Sequence, residues 1–251
     1  MSDYKSGGEA GSLAPIRSNG NTHLSNGHGC ASLNDARTLA PEEYARLHTE
    51  IERASSPSRC FVVGVTSAVY GEGKTTVAMN LAVTMAQNSP ERVALVDLNL
   101  RNRDLQARLN IAPCAGIVEL IEGGEDDLAG VVHKTEYENF TVVPAGRRSA
   151  NPARLARSPQ LVEIISALRA ANDFIVMDMA PVLPVTDTRI LARLVDGIVM
   201  VVRAGVTPRE IVARAIDVVG EDRVLGVVLN GTETAMPKWL RRYVGGSSAG
   251  L

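Results

Sequence analysis

The stretch RCFVVGVTSAVYGEGKTTVAMN, residues 59–80, constrains this chain more than any other. Cys60 to Val65 is a short, nearly continuous apolar run, the pattern of a strand buried on both faces of a parallel sheet. A turn follows from Ser67 to Gly73. Apolar positions then resume at helical spacing through Thr75, Val77, Ala78, Leu81 and Ala82. Strand, glycine-bearing loop, Lys-Thr and helix together form the setting of a phosphate-binding P-loop. The ordinary alternative is a strand–turn–helix with a surface lysine.

The chemistry follows from the geometry. Gly71 and Gly73 let the backbone turn tightly, so that successive N–H groups converge on one phosphate. The helix N-terminus adds partial positive charge. Lys74 is spaced to reach β- and γ-phosphate oxygens, and the Thr75 hydroxyl to ligate Mg²⁺. The expected nucleotide-contacting residues are Ala68, Tyr70, Gly71, Glu72, Gly73, Lys74, Thr75 and Thr76, with Asn230 at the end of the last strand. Ala68 replaces the first glycine of the G-x-x-x-x-G-K-[ST] pattern.

With 251 residues and 45% apolar composition, the chain can bury one good-sized α/β core. No apolar run has the length of a membrane span and the first residues are polar, so the protein reads as cytoplasmic. A net charge of −2 gives no reason to expect nucleic acid as a partner. Cys30, Cys60 and Cys114 are too widely spaced for a disulfide framework or a zinc site, and Cys60 reads as a small buried apolar residue. Residues 1–38, rich in Gly, Ser, Asn and Ala, read as a disordered tail whose His23 and His28 are solvated. The folded unit is expected over 39–235. Residues 236–251 then form a flexible tail with a short basic-aromatic patch, too short for a membrane helix.

Pro41 to Ile51 predicts a helix, with a proline start, early acids and a stripe of Tyr44, Leu47, His48 and Ile51. Arg92 to Val96 predicts a second strand that runs into Asp97. A carboxylate there points into the crevice where parallel sheets bind ligands, placed to hold Mg²⁺ through water or accept a proton from an attacking group, unless local N–H groups satisfy it. Arg101 and Arg103 read equally as surface charges or as contacts to phosphate or acidic groups. Gly116 to Glu122 reads as a short helix before the solvated acids Glu125, Asp126 and Asp127. Phe140 to Val143 reads as a strand and Arg147 to Arg157 as a solvated, arginine-rich loop. Ser158 and Pro159 open a helix as N-cap and first residue. Phe174 to Met177 is then a buried strand with Asp178 at its end, a Walker B arrangement. Strand 197–202, helix 208–219 and strand 224–229 complete an alternation that predicts a mostly parallel sheet with helices on both faces, a P-loop NTPase-like α/β fold.

TSAVYGEGKTT, VALVDLNLRNRD, FIVMDMAPVLPVTDTRILARLVDGIVMVVRAG and GVVLN together resemble the bacterial tyrosine kinases of capsule and exopolysaccharide synthesis. FTVVPAGRRSANPARLARSP resembles the segment between that family's second and Walker B regions, and the likeness covers residues 41 to about 231. It implies an ATPase fold turned to phosphorylating tyrosine with ATP and Mg²⁺. It also implies switching by the cytoplasmic tail of a membrane chain-length regulator, which would recruit the protein to the inner face of the plasma membrane. Lys74, Asp97 and Asp178 are then the catalytic residues, and Thr75, Asp97, Asn99 and Asp178 the metal set. The family's D-x-D-x-R motif falls on Asp97 to Arg101 with Asn99 in place of the second acid, and an amide is a poor base. Its interface helix falls on Glu42, Ala45 and His48, where both arginines are replaced. A homo-oligomer stays open, but its closed ring loses support. The family's C-terminal tyrosine cluster is reduced to Tyr243. Two alternatives remain: an ATP-binding regulator of the same export complex that phosphorylates nothing, and a partition or cell-division ATPase. The latter's second P-loop lysine is Val69 here.

Overall fold

The computed structural model describes residues 41–56, 59–101, 104–109, 111, 114–124 and 127–231. The two expected tails, His23, His28, Cys30, Arg103, Glu125, Asp126 and Tyr243 lie outside the described residues.

Seven strands form one sheet: β1 (Phe61–Ser67), β2 (Val93–Leu98), β3 (His133–Lys134), β4 (Phe140–Val143), β5 (Phe174–Met179), β6 (Gly197–Arg203) and β7 (Val224–Asn230). Their order is β3-β4-β2-β5-β1-β6-β7, and every pairing is parallel except β3–β4. β1, β2 and β5 are buried along their whole length, which is why each reads as an unbroken apolar run. Cys60 sits just before β1, half-buried, and burial pushes its thiol up to about 11.

The helices are α1 (Pro41–Ala54), α2 (Lys74–Asn88), α3 (Asp104–Arg108), α4 (Ile117–Glu122), α5 (Pro152–Leu155), α6 (Pro159–Ala171), α7 (Asp187–Leu191) and α8 (Arg209–Val219). Two apolar layers sandwich the sheet. One joins Tyr44 and Ile51 of α1, Val77, Leu81 and Met85 of α2 and Leu105 of α3 to Val63, Val65 and Val176. The other joins α4, α6 and α8 to Val62, Ile175 and Ile198. Helices therefore cover both faces, as the alternation predicts.

The supposed loop from Arg147 to Arg157 contains α5, whose first turn is held by the Asn151 side chain accepting a hydrogen bond from the Arg154 N–H at 3.2 Å. Ser158 caps α6 as expected, accepting from the Gln160 N–H.

Candidate functional site

β1 delivers the chain into the loop at the carboxyl edge of the sheet, and Gly71 and Gly73 take φ of +81° and +89° there. The two glycines differ in their surroundings. A Cβ on Gly71 would meet nothing within 4 Å, whereas one on Gly73 would lie 2.0 Å from Asn230 Nδ2. That amide donates to the Glu72 carbonyl at 2.9 Å, so Asn230 braces the loop from the end of β7. Ala68 is fully buried, and a methyl is tolerated where the pattern has glycine. Tyr70 is more than half exposed at the rim.

Its position in the loop predicts that Glu72 contacts nucleotide, but its side chain turns inward. Its buried carboxylate accepts from the Val69 N–H at 2.9 Å, the Thr207 hydroxyl at 2.7 Å and the Arg203 N–H at 3.3 Å. It ties the loop to the β6–α8 turn and leaves its backbone to face a ligand.

α2 starts at Lys74 with Gly73 as N-cap and no side-chain cap, so its first-turn N–H groups are left for a ligand. Lys74, Thr75 and Thr76 are all buried. The Thr76 hydroxyl accepts from Arg108 Nη1 at 3.1 Å, which brings α3 onto the start of α2. Arg108 escapes a sequence reading because α3 is one short turn with no periodicity to mark it.

Across from the loop, Asp97 of β2 and Asp178 of β5 are register partners on adjacent strands, both buried. Asp97 Oδ1 accepts from the Asn99 N–H at 2.9 Å, while Oδ2 has no partner. The Thr75 hydroxyl lies near Asp178, yet neither Asp178 oxygen has a hydrogen-bond partner of ordinary geometry. Burial raises Asp97 well above the usual carboxylate range, reinforced by the Asp178 charge and opposed by the Asn99 N–H and Lys74. Burial likewise raises Asp178 to about 6, against the pull of Lys74 and Thr75. Both side-chain polar atoms of buried Asn99 are also unpartnered. A cluster of orphaned oxygens facing a lysine and a threonine suits a hard divalent cation, whose ligands are carboxylate, amide and hydroxyl oxygens.

Arg101 is not a free surface charge: its guanidinium pairs with buried Asp187 at 2.6 Å. On α1, Glu42 is exposed and Ala45 half-buried, but His48 faces inward, edge-on to Phe174 with ring centroids 5.9 Å apart. Burial lowers its pKa against the raising pull of Glu52 and Glu91, and the ring is neutral at pH 7. His48 thus packs beneath α1 and offers no surface for a subunit contact.

A family model described as an AAA domain matches residues 62–213. The tyrosine-protein kinase YwqD of Bacillus subtilis (strain 168) is 31% identical over 202 residues, covering 80% of this chain and 84% of that protein. This chain belongs to the bacterial tyrosine-protein kinase family. Tyrosine-protein kinase CpsD of Streptococcus agalactiae is 28% identical over 193 residues, 75% of this chain and 82% of that one. The succinoglycan biosynthesis transport protein ExoP of Rhizobium meliloti (strain 1021) is 34% identical over 196 residues, but they make up only 24% of its length. Among solved structures, the chimerical protein CapA2B2 has a TM-score of 0.70 at 25% identity, covering 78% of this chain and 86% of its own. The VpsO kinase domain has a TM-score of 0.66 at 29% identity, covering 75% and 96%. The P-loop NTPase fold extends to the septum site-determining protein MinD of Pyrococcus horikoshii OT3, at TM-score 0.58 and 21% identity, covering 68% and 70%.

Proposed function

We propose that this protein is an ATP-dependent protein-tyrosine kinase, phosphorylating itself among its substrates, that regulates exopolysaccharide or capsule polymerisation and export. One observation carries the reading: two buried carboxylates in register, three of their four oxygens unpartnered, face a buried Lys-Thr pair at a helix N-terminus.

The division of labour follows from position. Backbone N–H groups of residues 70–76 and the Lys74 ammonium bind the β- and γ-phosphates, and Gly71 and Gly73 give the loop its curvature. Asn230 and Glu72 hold that curvature from behind. Thr75, Asp97, Asn99 and Asp178 would hold Mg²⁺, which when bound supplies charge neutralisation along the phosphates. Asp97 is also the base toward an incoming tyrosine hydroxyl. Its raised pKa makes it a better proton acceptor than an ordinary carboxylate, a role the amide of Asn99 cannot share.

The sequence matches only a quarter of ExoP, so in that relative the same module is part of a longer transport protein. That supports docking of this chain, at the inner face of the plasma membrane, on the cytoplasmic tail of a separate membrane chain-length regulator. Among the described residues no helix is long and apolar enough to cross a membrane.

Asn99 favours a second reading, an ATP-binding regulator of the export complex that transfers no phosphate. Intact mass after incubation with MgATP, with and without the partner's cytoplasmic tail, separates the two. The kinase reading expects phosphate on the wild type and none on Lys74→Ala. Phosphate appearing only on Asn99→Asp would overturn it in favour of the regulator.

A further inference from the structure

β7 closes the sheet, and one of its faces is bare. Val228 packs inward beside α1 and α2, but Leu225, Val227 and Leu229 on the opposite face are 39%, 46% and 53% exposed. With Val212 and Ile216 of α8, Val227 and Leu229 line an apolar groove along the sheet edge. A row of three apolar side chains on an edge strand is a surface that proteins usually cover.

The chain itself supplies a cover. Directly after Gly231, the next residues place Met236, Trp239, Leu240, Tyr243 and Val244 at the i, i+3, i+4, i+7, i+8 positions of one helical stripe. Lys238, Arg241 and Arg242 fall between them. Pro237 suits a first helical turn, and Gly245–Gly246 is a stop signal. A helix of such length does not persist alone in water, so this pattern has meaning only against an apolar surface. The reach is sufficient. Four residues, 232–235, span up to about 14 Å. A helix over 236–244 is roughly 13 Å long and β7 about 23 Å. Gly231, just past the end of β7, has φ +68°, a left-handed conformation that suits a change of chain direction. The groove's charged rim is mixed (Arg203, Arg209 and Glu210), so apolar complementarity rather than charge selects the occupant.

We propose that residues 236–244 dock as an amphipathic helix in the groove between α8 and β7, covering Leu225, Val227 and Leu229. The docking is independent of the kinase reading. Only its consequence rests on that reading: Tyr243 lies on the docked stripe, so docking withholds this acceptor, and a phosphate added there is incompatible with an apolar groove and releases the segment.

Trp239 is the single tryptophan of the chain and reports the docking directly. In the full chain without nucleotide, its emission should be blue-shifted and shielded from acrylamide. Leu240→Lys in the segment, or Val227→Lys with Leu229→Lys in the groove, should shift emission to the red and raise quenching severalfold. Val162→Lys, at an exposed apolar residue of α6, should change neither. Fully exposed Trp239 emission in the wild type overturns the proposal. So does a blue shift that disappears on dilution, which would make a second copy the occupant. A blue shift seen only with phosphatidylcholine–phosphatidylserine vesicles would assign the segment to a membrane surface instead. A blue shift that responds to these variants in a protein that transfers no phosphate would retain the docking and remove the kinase reading.

Discussion

Asp97 and Asp178 stand opposite one another on neighbouring parallel strands, both buried, with Lys74 the principal positive charge drawn toward them. Without a cation the pair is an electrostatic burden on the folded state, and this has a measurable sign. Both carboxyls hold a proton in the folded protein at pH values where the unfolded chain, with its ordinary carboxylate near 3.8, has released it. Their contribution is most favourable below pH 4 and is lost as pH rises through about 6, where Asp178 ionises. Asp97→Asn should therefore raise the melting temperature of the nucleotide-free protein above pH 7, by roughly 5 °C, and flatten its decline with pH. Thermal unfolding from pH 5 to 8 without Mg²⁺ tests this, and a variant melting below wild type at pH 8 would refute it.

The two loop glycines separate strain from collision. Gly71→Ala adds a methyl to a left-handed residue in open space, a cost of about 1–2 kcal/mol. Gly73→Ala bears the same strain and also drives the methyl into Asn230. Equilibrium denaturation should find Gly73→Ala less stable by a further ~1 kcal/mol or more, and nucleotide titration should find it the weaker binder. Equal effects would mean that Asn230 yields without cost.

Glu72 offers a test of loop shape apart from phosphate contact. Glu72→Ala strands the Val69 N–H and the Thr207 hydroxyl, which lose a charged acceptor worth roughly 1.5–3 kcal/mol per hydrogen bond. Nucleotide affinity should fall about tenfold or more while circular dichroism keeps the wild-type helix content. Thr207→Val should weaken binding less. Unchanged affinity in Glu72→Ala would show that the loop holds its curvature without the tie.

Arg101 and Asp187 join the turn after β2 to α7. Arg101→Ala leaves the buried Asp187 carboxylate uncompensated, a loss of roughly 1–3 kcal/mol once solvent screening at the half-exposed guanidinium is allowed for. Arg101→Ala with Asp187→Ala together should cost less than the sum of the two single changes. Urea denaturation of the four proteins gives the coupling, and additivity would mean that the pair contributes nothing.

The parts of this fold legible in sequence are those where burial is complete. β1, β2 and β5 are covered on both faces, so their apolar runs stand out, and Asp97 and Asp178 mark where those runs end. That the two aspartates are neighbours was not legible, because strand order is settled by how the crossovers pack and not by any local pattern. α3, α5 and α7 are too short to display a period, and β3 is two residues long. Glu72 and His48 show a different limit. Each is a polar residue in a motif position, and only packing decides that the side chain turns inward.

The hydroxyl of Tyr44 accepts a hydrogen bond from Asn80, almost two turns inside α2, and Ile51 is buried in the same apolar layer. α1 is thus a lid seated on the helix that begins with the phosphate-binding lysine, although it lies outside the matched span 62–213, as does β7. A fragment trimmed to that span would uncover the back of the P-loop helix and leave β6 as a raw edge. The span matched by the family model is therefore smaller than the packed unit, and α1 gives any force on its own amino-terminal end a short mechanical path to the phosphate loop.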